Sequence, residues 1–310
     1  MVTPMIPQEI SHHTHDTEKA HHYSLPTSLQ VVFKHHWSLL GFWAWQVALT
    51  LAVTSPFLFA LHNVYGNHPS GDQLLWKPGG VALQDLLDQY KIVIDTFLPT
   101  VTLWIGFAWF VGLIPLAMLI QALGDRTQHL SFVSFLKEAL RSFRPLATLA
   151  LIFISTELLV AGGGAFFLLK AADTWTIALG ERNADLISFV GIVFFLIGSS
   201  ILGVYHDISR VEVVYNRMTM GQAMSYAFRL PCSKVIALYG TWAWRICLNG
   251  ILLMGGGFLA QVLSSEGKIT IIALGVLHQL FLFTQIILKA SWLARLIQTS
   301  SSRSVVFQTI

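Results

Sequence analysis

Residues 41–46 of this chain read GFWAWQ, and residues 240–245 repeat them almost letter for letter as GTWAWR. A fainter copy, ATLALI, occupies residues 147–152. The register continues beyond the copies, because Gly162 and Gly255 lie at the same distance from the start of their copy. Repetition at matching positions indicates that one structural unit is used three times.

The composition is that of a membrane protein. Hydrophobic residues make up 54% of the chain and charged residues only 11%, whereas soluble domains carry about 25% charged residues. A bilayer core of about 30 Å requires about 20 apolar residues per helix. Six such runs lie at about 38–62, 96–123, 146–170, 185–207, 235–263 and 269–296. Helices are expected, because backbone groups in lipid need hydrogen-bond partners within their own segment.

Basic residues predict the orientation. The connections after the second and fourth spans carry Arg126, Arg141, Arg217 and Lys234 among others, while the opposite connections mix fewer basic residues with aspartates. The positive-inside rule therefore places both termini in the cytoplasm. The net charge of +3 then reflects this topology, and no nucleic-acid partner is expected.

Together these observations predict an all-α polytopic membrane protein with six transmembrane helices arranged as three parallel-repeat hairpins. The hairpin repeats cover residues 25–123, 131–207 and 222–296, within a transmembrane domain of residues 25–296. A cytoplasmic tail of residues 297–310 is expected to follow. All three hairpins have the same orientation, in contrast to the inverted repeats of many transporters.

An amphipathic helix is predicted at the start of each repeat. Apolar residues spaced by three and four with basic neighbours are typical of helices that lie in the lipid headgroup layer. The candidates for contact with headgroups or with a protein partner are Lys137, Arg141, Arg144, Arg210 and Arg229. These helices either anchor the bundle in the bilayer or dock a partner, and the sequence leaves both alternatives open.

Residues 1–24 are predicted to form a disordered cytoplasmic tail that is rich in histidine. His12 and His15, or His21 and His22, could share a metal ion or sense pH. A flexible solvated tail is the simpler interpretation. No metal site and no cofactor is therefore predicted.

Helix-breaking residues lie toward the predicted outer side of each repeat, at Ser55-Pro56 and in the glycine triplets 162–164 and 255–257. Glycines in membrane helices usually permit close helix packing. Three in succession could also unwind the helix and expose carbonyl groups to a cavity. Packing is the favoured interpretation.

Four polar residues are predicted to form a cluster near the membrane midplane. At about 1.5 Å per residue, Glu157, Asn249 and His278 fall at similar depths, and Arg245 lies one turn from Asn249 on the same face. In a structural role, Glu157 would pair with Arg245 or hydrogen-bond His278. In a functional role, the cluster would relay protons or bind a polar ligand.

Common catalytic motifs are absent from the sequence, including H-E-x-x-H, the P-loop and C-x-x-C. Cys232 and Cys247 are predicted to be plain thiols, and Lys289 is predicted to snorkel from the inner end of the sixth span. The chain is therefore not expected to be an enzyme.

Residues 137–145 (KEALRSFRP), 207–210 (DISR) and 222–229 (QAMSYAFR) carry a resemblance to a known group. Over roughly residues 131–257 the chain resembles bacterial six-span proteins akin to the membrane domain of some glycerophosphodiester phosphodiesterases. The resemblance implies a non-catalytic domain in the bacterial inner membrane.

Two functions are consistent with these features. The first is a non-enzymatic scaffold or accessory subunit of an envelope complex, which docks a membrane or cytoplasmic protein partner through the basic helices. The second is a transporter or permease subunit that uses the polar cluster. A tight bundle with no cavity would argue against the second.

Overall fold

A computed structural model describes residues 25–65, 102–124, 132–262 and 268–307. The predicted tail of residues 1–24 lies outside the described residues. Eight helices are assigned with defined bounds: α1 (Leu25–Lys34), α2 (His36–Tyr65), α3 (Leu113–Leu123), α4 (Phe132–Leu179), α5 (Glu181–Tyr215), α6 (Met220–Phe228), α7 (Cys232–Val262) and α8 (Lys268–Phe307). Residues 102–111 are also helical and precede α3.

Within the described ranges, six helical segments are long and apolar enough to cross a membrane, in agreement with the predicted number of spans. The segments are His36–Ser55, Thr102–Leu123, Phe132–Leu168, Glu181–Tyr215, Cys232–Leu259 and Ile272–Ser300. Their exposed apolar side chains, such as Leu159, Phe194 and Met254, suit a surface that contacts lipid tails.

The ends of the helices differ in detail from the sequence-based boundaries. The segment that precedes the third span is continuous with it in α4, which carries Pro145 in its interior. By contrast, α1 and α6 are short separate helices directly before α2 and α7. Helix α8 continues past the predicted boundary at residue 296, and Ile297 and Ser300 are buried.

The packed core is concentrated at the end of the bundle that the basic residues assign to the cytoplasm. It includes Leu39 on α2, Ile120 on α3, Val211 on α5 and Leu293 on α8, all nearly inaccessible. Helix α8 is central, because it contacts α1, α2, α3, α5 and α7. This arrangement brings the polar residues of α8 against four other spans.

The glycine triplets do not break their helices, since α4 and α7 run through them without interruption. A Cβ atom at Gly164 would lie 2.5 Å from the Phe195 ring, and one at Gly256 would lie 3.0 Å from the Phe281 ring. Each triplet therefore contains one glycine that permits close packing of neighbouring helices. The packing interpretation is correct and the unwinding alternative is wrong.

Candidate intramembrane binding site

A cavity of about 500 Å³ lies between α2, α5, α7 and α8. We call it the polar cavity. Helices α2 and α7 contribute Gln46, Thr50, Arg245 and Asn249, and α5 contributes Asp207. Helix α8 contributes His278, Gln279, Gln285 and Lys289. The volume is within the range of about 300–1,000 Å³ typical of small-molecule sites.

Arg245 is a buried cation of this cavity, with 5% of its surface exposed. Its Nε donates to Ser291 Oγ at 3.0 Å, and its Nη1 donates to the carbonyl of Thr241 at 2.7 Å. The guanidinium carbon lies 6.0 Å from the centre of the Trp292 ring. These contacts hold the guanidinium in place but leave its charge uncompensated, because Arg245 has no carboxylate partner among the described residues.

Asp207 on α5 links two cavity helices. Its Oδ1 accepts a hydrogen bond from Arg210 Nη1 at 3.1 Å, and its Oδ2 accepts one from Trp292 Nε1 on α8 at 2.9 Å. Lys289 is close enough to interact electrostatically with both Asp207 and Arg210. Within the described ranges, Lys289 forms no ion pair, so the ammonium group is available to a ligand.

A second cavity, of about 490 Å³, lies between α2, the second span, Arg210 and Lys289. Phe42, Gln46, Thr50 and Lys289 line both cavities. The two spaces therefore share a wall inside the bundle, and Lys289 presents its charge to both. Lys289 is exposed, and the spaces beside it include both cavities.

Three polar atoms on residues that line the polar cavity are buried without a hydrogen-bond partner in the described part of the chain. They are Trp43 Nε1, Asn249 Oδ1 and Gln279 Oε1. Buried polar groups are normally satisfied, and an unpaired one costs about 1–3 kcal/mol. Water or a polar ligand in the cavity would supply the missing partners after small side-chain rotations.

The structure brings three of the four predicted cluster residues together. Arg245, Asn249 and His278 all line the polar cavity, whereas Glu157 does not. A Cβ atom added to Gly203 on α5 would lie 3.9 Å from Glu157 Oε1, and the carboxylate interacts electrostatically with Arg210 and Asp207. The predicted pairing of Glu157 with Arg245 or His278 is wrong for the described residues, because α5 lies against the carboxylate.

The predicted surface contacts need one correction. Lys137, Arg141, Arg144 and Arg229 are exposed, as a headgroup or partner contact requires. Arg210 is not, because only 12% of its side chain is exposed and it is paired with Asp207. Its position near the end of the span suggested a surface role, but α5 turns this face toward the core.

Sequence reasoning missed Asp207, Gln285 and Trp292, and it assigned Lys289 to the membrane surface. A signal was present in α8, where His278, Gln285, Lys289 and Trp292 are spaced by seven, four and three residues. Such spacing places polar groups on one face of an otherwise apolar helix. This pattern favours a cavity lining, and the snorkelling interpretation of Lys289 is not supported.

Cys232 and Cys247 are both free and exposed, which confirms the prediction of plain thiols. Among the described residues, no group of three or more His, Cys, Asp or Glu side chains is arranged to hold a metal ion. The histidine-rich tail lies outside those residues.

Comparisons with protein-family models, with curated proteins and with solved structures give no match for this chain. The residues of the cavity are therefore the best guide to the function of the protein.

Proposed function

We propose that this protein is a non-enzymatic transporter or permease subunit that binds an anionic ligand in the polar cavity. The observation that carries the proposal is the buried guanidinium of Arg245, which has no counter-ion among the described residues. Three cations, Arg210, Arg245 and Lys289, lie in or beside the cavities, against the carboxylates of Asp207 and Glu157. The local charge is therefore positive.

A cation buried inside a membrane protein is costly unless it is paired. A bound anion would offset this cost, and each hydrogen bond to a charged group contributes about 1.5–3 kcal/mol. The planar guanidinium of Arg245 and the compact ammonium of Lys289 suit a ligand with several acceptor oxygens. Burial of Arg245 thus favours ligand binding over a scaffold role for this site.

The test is a binding measurement with the protein in nanodiscs of phosphatidylcholine. Three phosphate probes are used: inorganic phosphate, glycerol 3-phosphate and lysophosphatidic acid. We expect at least one to bind saturably, and we expect Arg245→Gln to weaken that binding about 10- to 100-fold, because charge-assisted hydrogen bonds are lost. Arg229→Gln is the matched control, since Arg229 is exposed and does not line the cavity.

The proposal is contradicted if none of the three probes binds. It is also contradicted if Arg229→Gln weakens binding as much as Arg245→Gln does. Transport is then tested in proteoliposomes with the probe that binds. Glu157→Gln should change the flux, because the carboxylate interacts with Arg210 beside the second cavity. A flux that is the same with and without the protein would exclude transport of that probe. Only the ligand-binding part of the proposal would then be supported.

A scaffold or accessory role remains a second candidate, supported by the exposed basic residues Lys137, Arg141, Arg144 and Arg229. It predicts that a protein partner co-purifies in stoichiometric amount in mild detergent. Arg141→Glu or Arg229→Glu should weaken this association. The scaffold role is contradicted if Arg245→Gln weakens ligand binding while neither Arg141→Glu nor Arg229→Glu weakens the association with a partner.

The finer architecture is also a proposal. Three equivalent hairpins are supported by contacts of α2 with α3, α4 with α5, and α7 with α8. Headgroup-layer positions for α1 and α6 are supported by their place directly before a span. With both termini in the cytoplasm, we propose a bacterial inner-membrane protein related to the membrane domains of glycerophosphodiester phosphodiesterases.

A further inference from the structure

A lipid-facing groove of about 490 Å³ runs between α2 and α8. We call it the apolar groove. Its lining includes Leu40, Ile272, Val276 and Leu280, all of which are exposed. Gly275 forms part of its wall, with no atom within 4 Å of the position that a Cβ would take. The groove is thus a shallow apolar channel on the outside of the bundle.

The apolar groove meets the polar cavity. Trp43 and Gln279 line both spaces, and both carry a buried polar atom without a partner in the described part of the chain. Along α8, the residues of the groove extend from Ile272 to Phe283 and those of the cavity from His278 to Trp292, so the two spaces overlap along this helix. An occupant of both spaces would be apolar at one end and anionic at the other.

The length of the groove matches one lipid leaflet. Ile272 to Phe283 spans about 16 Å at about 1.5 Å per residue, and one leaflet contributes about half of a hydrocarbon core of about 30 Å. The proposed topology puts the charged end toward the cytoplasmic side. An occupant would therefore point its headgroup toward the cytoplasm, as a lipid of that leaflet does, but the headgroup would lie near the membrane midplane.

We propose that the ligand is an amphiphile with a phosphate headgroup in the polar cavity and an acyl chain in the apolar groove. This inference depends on the proposed anion-binding function and specifies its substrate class. A carboxylate alone would leave much of a 500 Å³ cavity unfilled, whereas a glycerol phosphate offers more acceptor oxygens to Arg245, Lys289 and the amide side chains. Charge complementarity at one end and apolar walls at the other select this class.

The experiment compares three probes in phosphatidylcholine nanodiscs. Lysophosphatidic acid carries both chain and phosphate, glycerol 3-phosphate lacks the chain, and monoacylglycerol lacks the phosphate. The variant Gly275→Phe fills the groove, and Gly257→Phe is the matched control. A Cβ at either position has open space, and Gly257 lines neither the groove nor the cavity.

We expect Gly275→Phe to weaken binding of lysophosphatidic acid about tenfold or more while changing that of glycerol 3-phosphate less than about twofold. The unchanged binding of glycerol 3-phosphate also shows that the variant is folded. Val276→Trp should act like Gly275→Phe, because Val276 lines the same groove. Gly257→Phe should change neither, and monoacylglycerol should not compete with lysophosphatidic acid.

Three results would overturn the inference: equal effects of Gly275→Phe on both phosphate probes, no effect on either, or competition by monoacylglycerol as strong as that of unlabelled lysophosphatidic acid. The last result would mean that the groove holds any bilayer chain. The failures of the two proposals are distinguishable. If binding is sensitive to Arg245→Gln but not to Gly275→Phe, the anion site remains and only the amphiphile is wrong.

Discussion

Asp207→Asn is the most informative single substitution, because Asp207 is the carboxylate that lines the cavity together with the cations Arg245 and Lys289. It accepts from Arg210 at 3.1 Å and from Trp292 at 2.9 Å. The side chains of Arg210 and Asp207 are 12% and 18% exposed. Asparagine keeps the shape and an acceptor for Trp292 but removes the charge, so Arg210 and Lys289 would face each other without it.

The magnitude follows from the burial of the pair. Breaking a buried ion pair costs about 3–5 kcal/mol, because the remaining charge stays buried. Residual exposure and the nearby carboxylate of Glu157 reduce the effect, so we expect a loss of about 3 kcal/mol in the free energy of unfolding, the lower end of that range. The affinity for an anion should change in the opposite direction and increase.

The measurement is equilibrium unfolding in mixed micelles of mild detergent and sodium dodecyl sulphate. Asp185→Asn is the matched control, because Asp185 is an exposed carboxylate on the same helix. The double variant Asp207→Asn with Arg210→Met provides a thermodynamic cycle. The double variant removes both charges of the pair and leaves neither of them buried alone, so it should be more stable than Asp207→Asn alone.

Equal stability of Asp207→Asn and Asp185→Asn would refute the argument. Strict additivity of the two substitutions in the cycle would refute it as well, because the pair would then contribute no coupling energy.

Three further results are expected. Gly164→Leu should destabilise the protein by about 1–3 kcal/mol, because its side chain would meet an aromatic ring on α5. Gly163→Leu should not, because a side chain at residue 163 has open space. Equal unfolding curves for the two variants would contradict this expectation. Arg217, at φ 54°, should tolerate Gly with little change but lose about 1–2 kcal/mol as Val; indifference to Val in the same unfolding assay would argue against strain. In a Cys247→Ser background, Cys232 should react with an impermeant maleimide only from the cytoplasmic side, and labelling from outside would contradict the proposed topology.

The number of spans was predictable because it depends on local properties. A run of apolar residues of sufficient length can satisfy its backbone only as a helix in lipid, and each run contains that information by itself. Boundaries were less accurate. Nothing in residues 132–170 alone shows that the helix continues through Pro145, and the burial that keeps α8 helical beyond residue 296 comes from its neighbours.

The site was predicted in part. Depth along a helix can be counted from the sequence, and three of the residues grouped in this way, Arg245, Asn249 and His278, line the same cavity. The direction in which a side chain points around the bundle cannot be derived from the sequence in this way, because it depends on which helices become neighbours. Glu157 was therefore assigned to the wrong partner, and Arg210 to the surface.

The amino-acid sequence by itself determined that this chain is a helical membrane protein with six spans and polar groups at depth. It did so because hydropathy and helical period act within single segments. Only the tertiary structure decided that α5 brings Asp207 between Arg210 and Trp292, and that Arg245 and Lys289 face a cavity joined to an apolar groove. Those facts depend on packing between segments far apart in the chain, where small differences in helix rotation decide whether a charge meets a carboxylate, a lipid or an open space.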